Sequence, residues 1–156
     1  MKQKMTTAKL LDAYRIISTA KYGKLEDADK IKVWKMARAM KPIATQFDDD
    51  SKDAADKLKP TEDFSERLQY AQEFETAQKD PNYDAGKLKM GAAEYQEFLK
   101  EFREYNKLVG DAVKEFADKE VELELEGISE EVFGKLMASN DWTMEQAVLL
   151  SDVIIA

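Results

Sequence analysis

The chain has 156 residues and contains no cysteine and no histidine. The first absence excludes disulfides, thiolate nucleophiles and Cys-ligated zinc or iron–sulfur centres. The second removes the side chain that titrates near neutrality, and with it the Ser-His-Asp and Cys-His routes to an activated nucleophile. Imidazole, a common ligand of transition metals, is lost as well. Proline and glycine are scarce, at 3 and 6 residues, so elements should be long and loops few. No segment approaches ~18 consecutive apolar residues, so no membrane span and no membrane partner are expected. The start, Met1-Lys2-Gln3-Lys4, is basic, but Lys9, Asp12 and Arg15 interrupt the apolar run that a secretory leader needs. These exclusions point to a protein that is not an enzyme and needs no cofactor or metal.

What is present fits a folded, helix-rich chain. Hydrophobic residues make up 44% and charged residues 36%, with 2 Trp, 6 Tyr and 7 Phe, more aromatics than a disordered segment carries. The length suits a single domain, residues 1–156. The net charge of −8 is unevenly distributed: residues 1–60 hold 14 basic and 9 acidic side chains, and residues 61–156 hold 10 basic and 23 acidic. The halves therefore differ in sign, +5 against −13. That split favours the halves folding together or successive copies associating, and argues against general nucleic-acid binding.

Two stretches share a seven-residue beat. Val33, Ala37, Met40, Ala44, Phe47, Ser51, Ala54 and Leu58 form one, and Tyr95, Phe98, Phe102, Tyr105, Val109, Ala112 and Phe116 the other. Alternating steps of three and four residues keep one side of a helix facing a partner. The predicted fold is mainly α: a long antiparallel, coiled-coil-like helical hairpin over 1–119, kinked at Pro42, then a short strand and a small C-terminal helical head over 120–156. In this reading Ala37, Ala44 and Ala54 leave holes for Phe98, Phe102 and Phe116.

The remaining pattern fills in the elements. A first helix begins at Thr6 or Thr7 and ends at Tyr22-Gly23, with Gly23 in the left-handed position. The second helix starts near Glu26-Asp27 and runs to Leu58, through Pro42. Lys59-Pro60-Thr61 stops it, and a third helix continues to about Lys79. Asp80-Pro81-Asn82-Tyr83-Asp84-Ala85-Gly86 reads as a loop. Gly91 to Lys119 forms the second long helix, weakest at Gly110. Val121 to Glu126 alternates as a half-buried strand and needs a partner. Lys87-Leu88-Lys89-Met90 has suitable charge, but an unbroken helix from 91 to 119 would hold the two about 43 Å apart. Either that helix folds back at Gly110 or the strand pairs elsewhere, for instance with another chain. Ser129 and Thr143, the latter with Gln146 in a capping box, start two short C-terminal helices.

Candidate interaction residues are few. Glu122, Glu124 and Glu126 form an acidic comb on one strand face, open to a basic partner surface, to a divalent ion bridging two of the carboxylates, or to the ordinary role of a solvated edge. Trp34 and Trp142 read as packing residues or as contact points. Asp48-Asp49-Asp50 fans over about 200° of helix and cannot converge on one ion. The basic residues Lys24, Lys30, Lys32, Lys35, Arg38 and Lys41 spread around the second helix. No phosphate loop, nucleophile elbow or metal-ligand spacing is found.

Ala28-Asp29-Lys30-Ile31-Lys32-Val33-Trp34-Lys35-Met36-Ala37-Arg38 and Lys119-Glu120-Val121-Glu122-Leu123-Glu124-Leu125, followed by the Ser-Glu-Glu and Thr-Met-Glu-Gln helix starts, carry a likeness. The chain resembles a family of small uncharacterised bacteriophage and prophage proteins, a phage domain of unknown function. Residues 61–119 are longer and more helical here than in that pattern. The resemblance implies a setting in the cytoplasm of a bacterial host or in the virion, and no catalytic residues. The expectation is a virion component or assembly accessory acting through protein–protein contacts, with itself as a homo-oligomer or with other phage proteins. The alternative is an acidic phage-encoded inhibitor or adaptor that binds a basic host protein.

Overall fold

The wide spacing of helix breakers becomes, in the computed structural model, six α-helices and one two-stranded sheet among the described residues, 2–82 and 85–156. In chain order they are β1 (Lys2–Thr6), α1 (Thr7–Ser18), α2 (Asp27–Lys57), α3 (Phe64–Lys79), a 3₁₀ turn (Ala85–Lys87), α4 (Ala92–Asp118), β2 (Glu120–Glu124), α5 (Glu130–Ser139) and α6 (Met144–Ile154). The class is mainly α, as the periodicity indicates, and a small antiparallel sheet joins the expected strand to a second one that the periodicity does not reveal. Of the loop read at 80–86, Tyr83 and Asp84 lie outside the described residues, as does Met1.

Two compact units divide the chain: Met1–Asp50 with Lys114–Ala156, and Ser51–Val113. The periodicity alone suggests parts at 1–119 and 120–156. The first unit instead joins both chain ends, because β1 pairs with β2 and α1 shares a core with α6.

In this first unit Thr6 caps α1, its hydroxyl accepting from the Lys9 amide at 3.2 Å. Leu10, Ala13 and Ile17 of α1 then meet Val33, Met36 and Met40 of α2, Leu136 of α5, and Leu150 and Val153 of α6. The α2 stripe keeps its buried register on both sides of Pro42, which lies inside the continuous helix. α1 ends earlier than the sequence suggests, at Ser18, and no described glycine has positive φ, so Gly23 is not a left-handed cap. The Thr19 hydroxyl takes the Arg15 carbonyl at 3.0 Å. Beyond it, Asn140 holds Lys21, accepting from its amide at 2.7 Å and donating to its carbonyl at 2.8 Å. Side chains therefore do the work assigned to a glycine turn.

The missing partner of the Val121 strand is the N-terminal segment. β1 and β2 are antiparallel, with Lys2 opposite Glu124, Lys4 opposite Glu122 and Met5 opposite Val121. Met5 is buried and Val121 and Leu123 are packed against the core, while the lysines and glutamates lie outside. Lys87–Met90 supplies no strand, since Ala85–Lys87 is a 3₁₀ turn and Met90 is buried among aromatics. α4 is continuous through Gly110. Neither a fold-back nor a second chain is needed to pair the strand.

In the second unit α3 and α4 share an aromatic cluster. Phe64 stands 5.4 Å from Phe98 and 4.7 Å from Tyr105, centroid to centroid, and Phe102 stacks on Phe98 at 5.9 Å. The expected seating of Phe98 and Phe102 in alanine holes is thus replaced by aromatic packing on α3. The turn at Pro60 lays Phe64 and Leu68 beside the α4 rings, and such pairs gain about 0.5–1.5 kcal/mol beyond burial alone. Tyr105 also donates to the Ala55 carbonyl at 2.6 Å, fastening α4 to the end of α2. In the first unit Phe47 and Phe116 line one cleft. Val109, Ala112 and Leu58 are half-buried.

Candidate docking surfaces

The acidic comb is largely answered within the chain. Lys2 approaches Glu122 at 3.8 Å and Lys32 approaches Glu126 at 4.0 Å. With Lys2 and Lys4 opposite Glu124 and Glu122, these two teeth of the comb lie on the outer face of a sheet whose other strand carries lysines at matching positions, while Glu126 lies beyond β2. Trp142 is half-buried, its ring 6.0 Å from Phe133, and serves the α5–α6 packing. Asp48 and Asp49 are exposed, and Asp50 accepts from the Gln46 amide group at 2.8 Å. Among the described residues no three carboxylates converge to hold a metal ion.

Trp34 is placed differently. It is 55% exposed on α2, and the Arg38 guanidinium lies 5.1 Å from its ring centroid. Three residues further along, Lys41 joins them on the same face. Tyr14 and Ile17 of α1, with Tyr22 beyond it, form the opposite wall of a groove of about 320 Å³. Both charged residues in the lining, Arg38 and Lys41, are basic. Counted over the whole helix, the positive charge is spread around α2. The spacing of Trp34, Arg38 and Lys41, one turn apart each time, was the signal that could have gathered it.

A second surface forms where α6 passes α1. Met144 is 78% exposed and Val148 52%, so this helix displays apolar groups one turn apart. They line a depression of about 540 Å³ with Leu149, Asp12, Glu145 and the Lys9–Asp152 ion pair, 3.6 Å apart. The acids exceed the bases here. A third cleft, about 360 Å³, is walled by Pro42, Ile43, Phe47, Phe116 and Val121.

Shifted ionisation is concentrated elsewhere, in the second unit. Arg67 forms a two-pronged pair with Glu101, at 2.8 and 3.0 Å, and also reaches Thr61 at 2.9 Å. The hydrogen bonds from Arg67 hold the Glu101 carboxyl below the ordinary glutamate range, and Glu101 in turn raises Arg67. Asp63 is lowered first by the Thr61 hydroxyl, which donates to it at 2.6 Å. Tyr70 and Tyr95 are raised because their hydroxyls donate to Glu66 and Glu75. Each shift keeps a group in the form it already has near neutrality. The cluster is a clasp rather than a proton-transfer centre.

No helix among the described residues is long and apolar enough to cross a membrane. In comparisons with protein-family models, with curated proteins and with solved structures, the chain matches none of them.

Proposed function

We propose that this is a non-enzymatic phage or prophage protein that acts through protein–protein contacts, as a virion component or an assembly accessory. One observation carries the reading: large apolar side chains are displayed in groups, Tyr22 with Trp34 in one groove and Met144 with Val148 on one helix face. Scattered apolar residues are normal on any surface, whereas grouped ones rimmed by charge mark contact sites. The phage setting rests on the family resemblance of the α2 and β2 segments. The reading is tested by expressing the tagged chain in bacteria producing the phage. Co-sedimentation with particles or with assembly intermediates is expected, and a chain that never leaves the free-protein fraction would count against it.

The inhibitor or adaptor reading draws on the −13 balance of residues 61–156. The lysines against Glu122 and Glu126 leave the comb fewer free carboxylates to offer a basic host protein. Salt-sensitive capture of one defined basic protein would favour it over the assembly reading.

A further inference from the structure

The two apolar surfaces of the first unit are chemically opposite. The α1–α2 groove is aromatic, and its charged lining residues are basic; the α6 face is aliphatic and thioether, with an acidic rim. We infer that they are the two halves of one interface, the groove of one copy receiving α6 of a second. This rests on the protein–protein reading above and identifies the partner as the chain itself.

Spacing supports the match. Trp34, Arg38 and Lys41 follow one another along α2, and Met144, Val148 and Asp152 along α6, both over about 11 Å of helix at 1.5 Å per residue. Laid side by side in the same direction, Met144 meets the Trp34 end and Asp152 meets Lys41. A methionine sulfur near an aromatic ring is favourable by about 0.3–1.5 kcal/mol, and its unbranched stem adapts to an irregular groove. Glu145 would face Arg38, and Asp152 would exchange or share its Lys9 partner with Lys41, giving the contact its direction and its salt dependence.

Position supports it too. On α1, Tyr14, Ile17 and Ser18 border the groove and Lys9 and Asp12 border the α6 face. At about 100° per residue these sets lie roughly 160° apart around the helix. One copy can therefore offer its groove to one neighbour and its α6 to another. Such a contact joins unlike patches, so it propagates into a ring or a filament instead of closing as a symmetric dimer.

Complementation by two variants tests this. Trp34→Ala with Arg38→Glu blocks the groove, and Met144→Ser with Val148→Lys blocks the face; all four side chains are exposed, and far-UV circular dichroism checks that both chains fold. In analytical ultracentrifugation the unaltered chain should grow in mass with concentration, and less so as salt rises from about 0.05 to about 0.5 M. Each variant alone should associate at least ~10-fold more weakly. Their equimolar mixture should give a 1:1 dimer and stop there, because one intact groove and one intact face remain. A mixture as weak as its components would overturn the inference, as would an unaltered chain that is monomeric throughout. A monomer that still co-sediments with phage particles would sink the self-association while leaving the proposed function standing. A monomer whose tryptophan emission is quenched by a single-stranded oligonucleotide in the unaltered chain, but not in the variant carrying Trp34→Ala, would overturn the inference and reassign the groove to nucleic acid.

Discussion

At the scale of single residues, the Arg67–Glu101 pair shows how a charge can be structural. Its two parallel hydrogen bonds lie beside the Phe64 and Phe98 rings, with the Arg67 guanidinium carbon 5.9 and 5.6 Å from their centroids. Glu101→Gln keeps the shape but removes the charge, and should cost about 1 kcal/mol in urea denaturation at neutral pH. The pH dependence has a definite sign. Because the folded carboxyl titrates below its unfolded value of about 4.3, its contribution is complete above that value and is lost as pH falls through the lower folded one. The Gln variant should lack that part of the acid-side loss. Two glycines make opposite predictions. A Cβ at Gly110 meets nothing within 4 Å, so Gly110→Ala should stabilise α4 by about 1 kcal/mol and raise the melting temperature. A Cβ at Gly127 would fall 2.7 Å from the Ala156 amide nitrogen, where Ala156 donates to the Ile128 carbonyl at 3.0 Å. Gly127→Ala should therefore lower the melting temperature by displacing the chain end, at a cost of about 1–3 kcal/mol.

At the scale of elements, helix starts were the most legible features. Ser129 accepts from the Val132 amide, and Thr143 and Gln146 exchange both bonds of a capping box, as the local pattern indicates. These bonds close within four residues, so nearby sequence suffices to specify them. β1 was not legible. Only Gln3 and Met5 of its five residues turn toward the core, too short an alternation to separate from a basic lead into α1. Its identity depends on β2, more than a hundred residues away, and on Gln3 donating to the Val153 carbonyl at 2.8 Å. Removing residues 2–5 should expose the β2 backbone. Hydrogen exchange should then show the Val121–Glu124 amides losing protection, while amides of α3 keep theirs. Retained protection in β2 would mean that another segment pairs with it.

At the scale of the molecule, each compact unit has its own hydrophobic cluster, one around Leu10, Met40 and Leu150 and the other around Phe64 and Phe98. Both tryptophans, Trp34 and Trp142, belong to the first unit. Phe98→Ala empties a ring-sized volume from the second and should cost about 3–5 kcal/mol there. Thermal unfolding should then split, with far-UV circular dichroism reporting an early loss of helix and tryptophan emission changing at the original midpoint. Two coincident, equally lowered midpoints would show that the units unfold together.

The sequence by itself determined the helical class, the extent of α2 and α4, the capped C-terminal helices and the lack of thiol and imidazole groups. All of these follow from local periodicity, capping and composition, whose range is a few turns of chain. It also marked the apolar positions of both stripes, since burial follows hydrophobicity whatever the partner. Only the tertiary structure decided who those partners are: α1 and α6 for the first half of α2, α3 for the rings of α4, and β1 for β2. A heptad stripe specifies a face to be covered and is silent about what covers it. The same reason separates the docking surfaces from the comb. The charges of Glu122 and Glu126 could be read from the chain, but the lysines against them, and the tyrosines beside Trp34 and Arg38, arrive from segments that only folding brings near.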